Sequence, residues 1–429
     1  MLISFCLLFT LSFSSDLFED YYERADQYLQ KMTLEEKVNQ IFCPKYNKTA
    51  VEGIMNNTVP GGFVLYREHF NYEEGEIRKY ITELQNSSMD KTGLPLVIAV
   101  DEEGGIVNRI SPIHRKAGSF PSPQNIYKDS GIEGILKIDQ EKRDLLRKFL
   151  VNVNLAPVAD ISYNSKDYMY SRTLGQSPNI TADYIAKDVE GYVQDNFTCC
   201  AKHFPGYGNN TNTHENIAID NRSYEIFEKE DFLPFKAAIK NKIPMILVSH
   251  NIVKCKDDVY PASISKNWVG ILRNDLNFSG IIVTDDLSMD AITKYAGNES
   301  SAILAVRAGN DLVITNEYPK HRKDVIEAVK AGNITEEVIN KACKRVIAWK
   351  IKYIIDNPKR ENIDPSDESS VQPDPPKQEG DGSDNTWVIV GSILGGLVVI
   401  IIVVFLIVHY KRKKDMAENE MEKLSSPIV

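Results

Sequence analysis

The 429-residue sequence predicts an α/β protein whose folded part is a (β/α)8 TIM-type barrel. Three observations predict it. Eight short apolar runs alternate with longer amphipathic stretches. The runs are continuously apolar, as strands are when a parallel sheet is covered on both faces. Polar residues also gather at the C-terminal ends of several runs, where barrel enzymes carry their chemistry.

The runs are residues 40–44, 62–66, 94–101, 153–160, 199–204, 245–250, 280–285 and 311–315. Helix-like stretches between them include 73–85, 138–151, 180–195, 225–240 and 300–307. An open doubly wound sheet is the competing arrangement. No G-x-G-x-x-G follows a strand, which disfavours a dinucleotide fold. The folded part is expected over residues 16–356.

The two ends read differently. Residues 1–15 are apolar and then small, the pattern of a secretory signal peptide, although no Lys or Arg precedes the apolar stretch. Residues 357–386 turn to Pro, Asp, Glu, Ser and Gly, which predicts a disordered stalk. Residues 387–409 are apolar over a length that spans a bilayer. Lys411, Arg412, Lys413 and Lys414 follow and place the tail, 410–429, in the cytosol. The expectation is a single-pass type I membrane protein with its barrel outside the cytoplasm, at the cell surface or in an endolysosomal membrane. Sequons at Asn47, Asn86, Asn179, Asn196, Asn221 and Asn333 fit a glycosylated ectodomain.

Composition narrows the function. Hydrophobic content of 42% and charge of 26% are those of a globular protein. A net charge of −10 offers no basic surplus for nucleic acid. Of six cysteines, Cys6 lies in the signal, and the odd remainder suggests neither a disulfide framework nor a metal site.

Three stretches carry chemistry. Residues 281–289 form an apolar strand that delivers Asp285 and Asp286. An aspartate there suits a nucleophile, a metal ligand or a helix cap, and capping accounts for one of the two. Residues 101–109 frame the Gly104–Gly105 turn with Asp101 and Arg109. That pair either grips vicinal hydroxyls or closes the turn as an ion pair. Residues 201–215, AKHFPGYGNNTNTHE, place Lys202, His203 and His214 where a strand hands over to a loop. His203, His214, His250 and Asp285 lack metal-site spacing, and Lys202 would repel a cation.

The runs AVDEEGGIVNR, NLAPVAD, AKHFPGYG, MILVSH and VTDDLSMDAI, in that order, resemble glycoside hydrolase family 3, in its one-domain β-N-acetylhexosaminidase branch. The resemblance covers residues 34–352. It implies a (β/α)8 barrel that removes terminal β-linked N-acetylglucosamine with retention. It implies Asp285 as nucleophile and His214 as general acid/base. Asp101, Arg109, Arg172, Lys202 and His203 match sugar-binding positions. It implies no metal or organic cofactor, and a carbohydrate as the binding partner. Four departures stand out. Tyr207 separates two glycines where the family usually has histidine, and the loop that follows is one residue shorter. Asn212 replaces an aspartate and cannot supply charge, so His214 is expected to be less basic than in the family. Ile106 stands where arginine is common. Two alternatives follow: a catalytically impaired, membrane-tethered sugar-binding protein, or a phosphorylase acting on β-N-acetylglucosaminides.

Overall fold

The computed structural model describes residues 16–208, 218–289, 292 and 295–357. The expected signal peptide, stalk, span and tail lie outside them, apart from Asn357. No helix among the described residues is long and apolar enough to cross a membrane.

Among the described residues, eight parallel strands build the main sheet in chain order: β1 (Phe42–Pro44), β2 (Gly62–Val64), β3 (Val97–Val100), β4 (Val153–Asn154), β5 (Thr198–Phe204), β6 (Met245–Val248), β7 (Ile281–Thr284) and β8 (Val313–Thr315); Ile219–Asp220 and Ile252–Val253 form a separate parallel pair. Strands β2 to β7 form one parallel ladder, and β1 pairs with β8. Single parallel bridges, Lys45 with Val64 and Val283 with Leu312, join the ladders at both seams. The sheet therefore curls back on itself. Each expected apolar run contains one of these strands, save that β5 begins one residue earlier, at Thr198.

Helices fill the crossovers: α1 (Val51–Asn57), α2 (Glu74–Thr92), α3 (Pro123–Lys148), α4 (Pro178–Gln194), α5 (Phe232–Lys240), α6 (Lys266–Gly270) and α7 (Ser301–Ala308). After β8 come α8 (Tyr318–Lys330) and α9 (Glu336–Lys350). The helices α1, α6, α8 and α9 were not among the expected segments.

Alternation along the strands explains the continuous runs. Val97 and Ala99, Met245 and Leu247, and Ile281 and Val283 pack in one apolar cluster. Their neighbours Ile98 and Val100, Ile246 and Val248, and Ile282 pack in a second cluster with helix residues such as Phe235 and Trp268. Successive strand side chains point to opposite faces. With both faces covered by apolar matter, every position becomes apolar.

The five cysteines among the described residues are all free, and only Cys255 is not buried. Asn47, Asn86, Asn179, Asn221 and Asn333 are exposed, and Asn196 is partly so.

One buried charge is out of character with this core. Lys350 is fully buried, its Nζ donating to Gln40 Oε1 at 2.7 Å beside Cys43 and Cys343. Burial pushes its ammonium down to about 7. An unfolded lysine titrates near ~10.4, so between these values the unfolded chain binds the extra proton. Stability then rises with pH from 7 towards 10, by at most about 1.4 kcal/mol per pH unit. Lys350→Met is expected to remove that slope, as read from urea midpoints at pH 7, 8 and 9.

Candidate active site

A cavity of about 340 Å3 opens at the C-terminal edge of the sheet. It is lined by residues at or beyond the C-terminal ends of all eight strands, with Lys45 following β1 and Leu155, Tyr168 and Arg172 following β4. A larger cavity of about 520 Å3 lies at the opposite edge, beside Asn39 and Gly93. Its charged residues, Lys31, Glu36 and Lys91, are exposed and scattered. The clustered chemistry belongs to the smaller one.

Strand β3 delivers the first acids. Asp101 and Glu103 line the cavity. Glu102, between them, turns the other way and is fully buried. Its carboxylate accepts the N–H groups of Arg109 and Ile110 at 2.8 Å and of Ser111 at 3.2 Å. This fixes the turn between. Gly104 and Gly105 have φ of 99° and 64°, and a Cβ on Gly104 would lie 2.5 Å from the Pro121 carbonyl. Only glycine fits there.

Strand β5 delivers Lys202 and His203, joined by a cis peptide bond. Lys202 Nζ lies 2.6 Å from Asp101 Oδ1 and 2.7 Å from Glu103 Oε1. Arg109 Nη2 is 3.2 Å from Asp101 Oδ2. Arg172 grips Glu103 with two bonds, Nη2 to Oε1 at 2.6 Å and Nε to Oε2 at 2.9 Å. Two carboxylates and three cations thus form one network. Burial alone would raise the Asp101 and Glu103 acids, but the cations outweigh it and hold both below the ordinary range, Glu103 well below. Burial alone would likewise lower Lys202, and Asp101 and Glu103 reverse it.

His203 is oriented from both sides. Its Nδ1–H donates to Asp160 Oδ2 at 2.7 Å, while Nε2 accepts from Arg172 Nη2 at 3.5 Å. Arginine can only donate, which fixes the tautomer. Asp160 Oδ1 accepts the Tyr207 N–H at 2.8 Å.

At the end of β7, Asp285 and Asp286 divide the work. Asp286 Oδ1 accepts the Ser288 N–H and Oδ2 accepts from Asn316 Nδ2, both at 2.9 Å, so it holds the turn. Asp285 Oδ1 accepts the Asp286 N–H at 2.9 Å, and the residue lines the cavity, half-buried. The Asp286 carbonyl lies 2.9 Å from His250 Nε2, and Ser263 Oγ lies 2.7 Å from Nδ1. No group of three or more His, Cys, Asp or Glu among the described residues is placed to hold a metal.

Six of the seven expected site residues therefore meet in one cavity: Asp101, Arg109, Arg172, Lys202, His203 and Asp285. The seventh, His214, lies outside the described residues. The Asp101–Arg109 pair is an ion pair across the turn and also a wall of the cavity. Sequence reasoning gave no role to Glu103, Asp160 or Tyr66. Tyr66 ends the second apolar run, and its ring lies under Lys45 Nζ, 4.3 Å from its centroid, and under Arg109, 5.2 Å away. Its position at a strand end was the available signal.

The loop that follows β5 begins on a fixed base. A Cβ on Gly206 would lie 2.2 Å from Asp231 Oδ1, and one on Gly208 would lie 2.6 Å from the Arg222 guanidinium. Arg222 bridges the buried carboxylates of Asp220 and Asp231, each at 2.8 Å.

Residues 33–349 match the model of the glycosyl hydrolase family 3 N-terminal domain. The chain belongs to this family. It is a glycoside hydrolase, and the family match spans every residue of the site. A beta-hexosaminidase of Nitrosomonas eutropha is 29% identical over 284 residues, which is 64% of this chain and 79% of that protein. An uncharacterized secreted glycosyl hydrolase of Arthroderma benhamiae is 25% identical over 305 residues, 67% of this chain and 84% of that one. Among solved structures, the family 3 beta-N-acetylglucosaminidase of Paenibacillus sp. superposes with a TM-score of 0.70 at 25% identity. That match covers 83% of this chain and 65% of the other.

Proposed function

We propose that this family 3 hydrolase removes terminal β-linked N-acetylglucosamine from glycoconjugates, with retention of configuration. The observation that carries the reading is the meeting of Asp285 with five sugar-binding candidates in one cavity at the C-terminal edge of the sheet. The names of the relatives support the substrate class. In this reading the curled sheet is a (β/α)8 barrel, and catalytic groups stand at its C-terminal end as such barrels require.

Asp285 attacks the anomeric carbon while His214 protonates the leaving oxygen, giving a covalent glycosyl-enzyme and the free leaving group. His214 then takes a proton from water. The hydroxide attacks the anomeric carbon, and Asp285 departs as carboxylate. Asp101 accepts from sugar hydroxyls, while Arg109, Arg172 and Lys202 donate to them, already held in place by their own ion pairs. Such preorganisation removes reorganisation from the reaction step.

Turnover of 4-nitrophenyl β-N-acetylglucosaminide by the full chain tests the reading, and no release of 4-nitrophenol overturns it. Asn212→Asp should move the pH–rate profile upward, because a carboxylate stabilises the His214 cation. An unmoved profile would mean that Asn212 is not the partner of His214. The placement we favour is a type I membrane protein with this domain outside the cytoplasm.

A further inference from the structure

The described cavity wall has no surplus of positive charge. Four cations line it, Lys45, Arg109, Arg172 and Lys202, against four carboxylates, Asp101, Glu103, Asp285 and Asp286. Each cation already lies within 3.2 Å of a carboxylate, Lys45 on Glu68 and the others on Asp101 or Glu103. An anionic group entering the cavity would face its carboxylates without meeting any unbalanced positive charge. A neutral group would not be repelled in this way.

Two apolar groups stand unused at the rim. Ile106 lines the cavity at 70% exposure. It sits on the turn closed by the N–H groups of Glu103 and Gly104 bonding to the Val107 carbonyl at 3.0 and 3.1 Å. Gly105 N–H donates to the Phe120 carbonyl at 2.8 Å. The isoleucine is thus held out on a rigid support. Tyr168, 37% exposed, also lines the cavity. Its ring lies 6.0 Å from that of buried Tyr207, which lies 5.6 Å from the His203 ring. Single exposed apolar side chains are commonplace. These two are set apart by their backbone and ring supports and by lining the same cavity.

Resting on the hydrolase reading above, we infer that Ile106 and Tyr168 select the leaving group. They favour an uncharged pyranoside that lays an apolar face on them, such as a second N-acetylglucosamine, over a sugar bearing a carboxylate. Ring faces of pyranosides carry C–H groups that pack on such surfaces, and the balanced wall gives a carboxylate no free cation.

The test compares three substrates with the full chain: N,N′-diacetylchitobiose, the disaccharide of N-acetylglucosamine on N-acetylmuramic acid, and 4-nitrophenyl β-N-acetylglucosaminide. We expect kcat/KM to favour the chitobiose over the muramic disaccharide by about tenfold or more. Ile106→Lys should narrow that ratio by about fivefold or more, mainly through a lower KM for the carboxylate-bearing substrate. Ile106→Val should preserve it. A wild-type ratio near one, or a ratio unmoved in Ile106→Lys, overturns the inference while leaving the hydrolase reading intact. Failure to turn over any of the three overturns both.

Discussion

Asp285→Asn lowers turnover of 4-nitrophenyl β-N-acetylglucosaminide by about three orders of magnitude or more, with the fold intact. That loss corresponds to about 4 kcal/mol or more of transition-state stabilisation. An amide cannot form the glycosyl ester through which a retaining enzyme works. It is nearly the same size as the acid, and its Oδ1 can still accept the Asp286 N–H that Asp285 Oδ1 accepts at 2.9 Å. The melting temperature should therefore stay close to that of the parent, and circular dichroism should be unchanged. If the variant kept activity within tenfold, the nucleophile would be another group. Loss of activity together with loss of the fold would be a structural effect and would not support the assignment.

Lys202→Met has a different signature, because it damages fold and site together. Lys202 is buried at 3% exposure and bonds to both Asp101 and Glu103. Removing one partner of a buried ion pair typically costs about 3–5 kcal/mol. Arg109 and Arg172 remain, so the lower end, about 3 kcal/mol, is expected. The pH dependence gives the sharper readout. Both acids are held below their ordinary values by these cations. Their contribution to stability is present above the unfolded carboxylate range, near ~4, and is lost as pH falls through the folded values. With Lys202 gone the acids move back up, so the acid unfolding limb should shift to higher pH. Urea midpoints between pH 3 and 7 would show it. An unshifted limb would mean that Lys202 does not hold the two acids down.

The sheet was legible because of where it sits. Strands with apolar matter on both faces leave a continuous apolar run, and each of the eight runs overlaps a strand. The helices α8 and α9 were harder, since no apolar run follows them to show that they close a crossover. The site was legible residue by residue but not as a network. The sequence DEE offers three acids in a row. Strand alternation past Val100 would have separated them: Asp101 and Glu103 share the cavity, and Glu102 faces back to cap the turn. Asp160 ended an apolar run, but its bond to His203 joins residues 43 positions apart. Arg222 bridges Asp220, two residues before it, and Asp231, nine after it, but nothing in that spacing shows that the group packs under Gly206 and Gly208. Such pairings belong to the tertiary structure, and spacing alone does not reveal them.

The base on which Gly206 and Gly208 rest has a consequence for how such a protein can change over generations. The backbone leaving β5 packs tightly on Asp231 and Arg222 at Gly206 and Gly208. Any change in sequence beyond Gly208 thus starts from a backbone already held close to Lys202 and His203. If the proposed roles hold, a lineage can rework the segment that carries His214 while the strand end that carries Lys202 and His203 stays as it is.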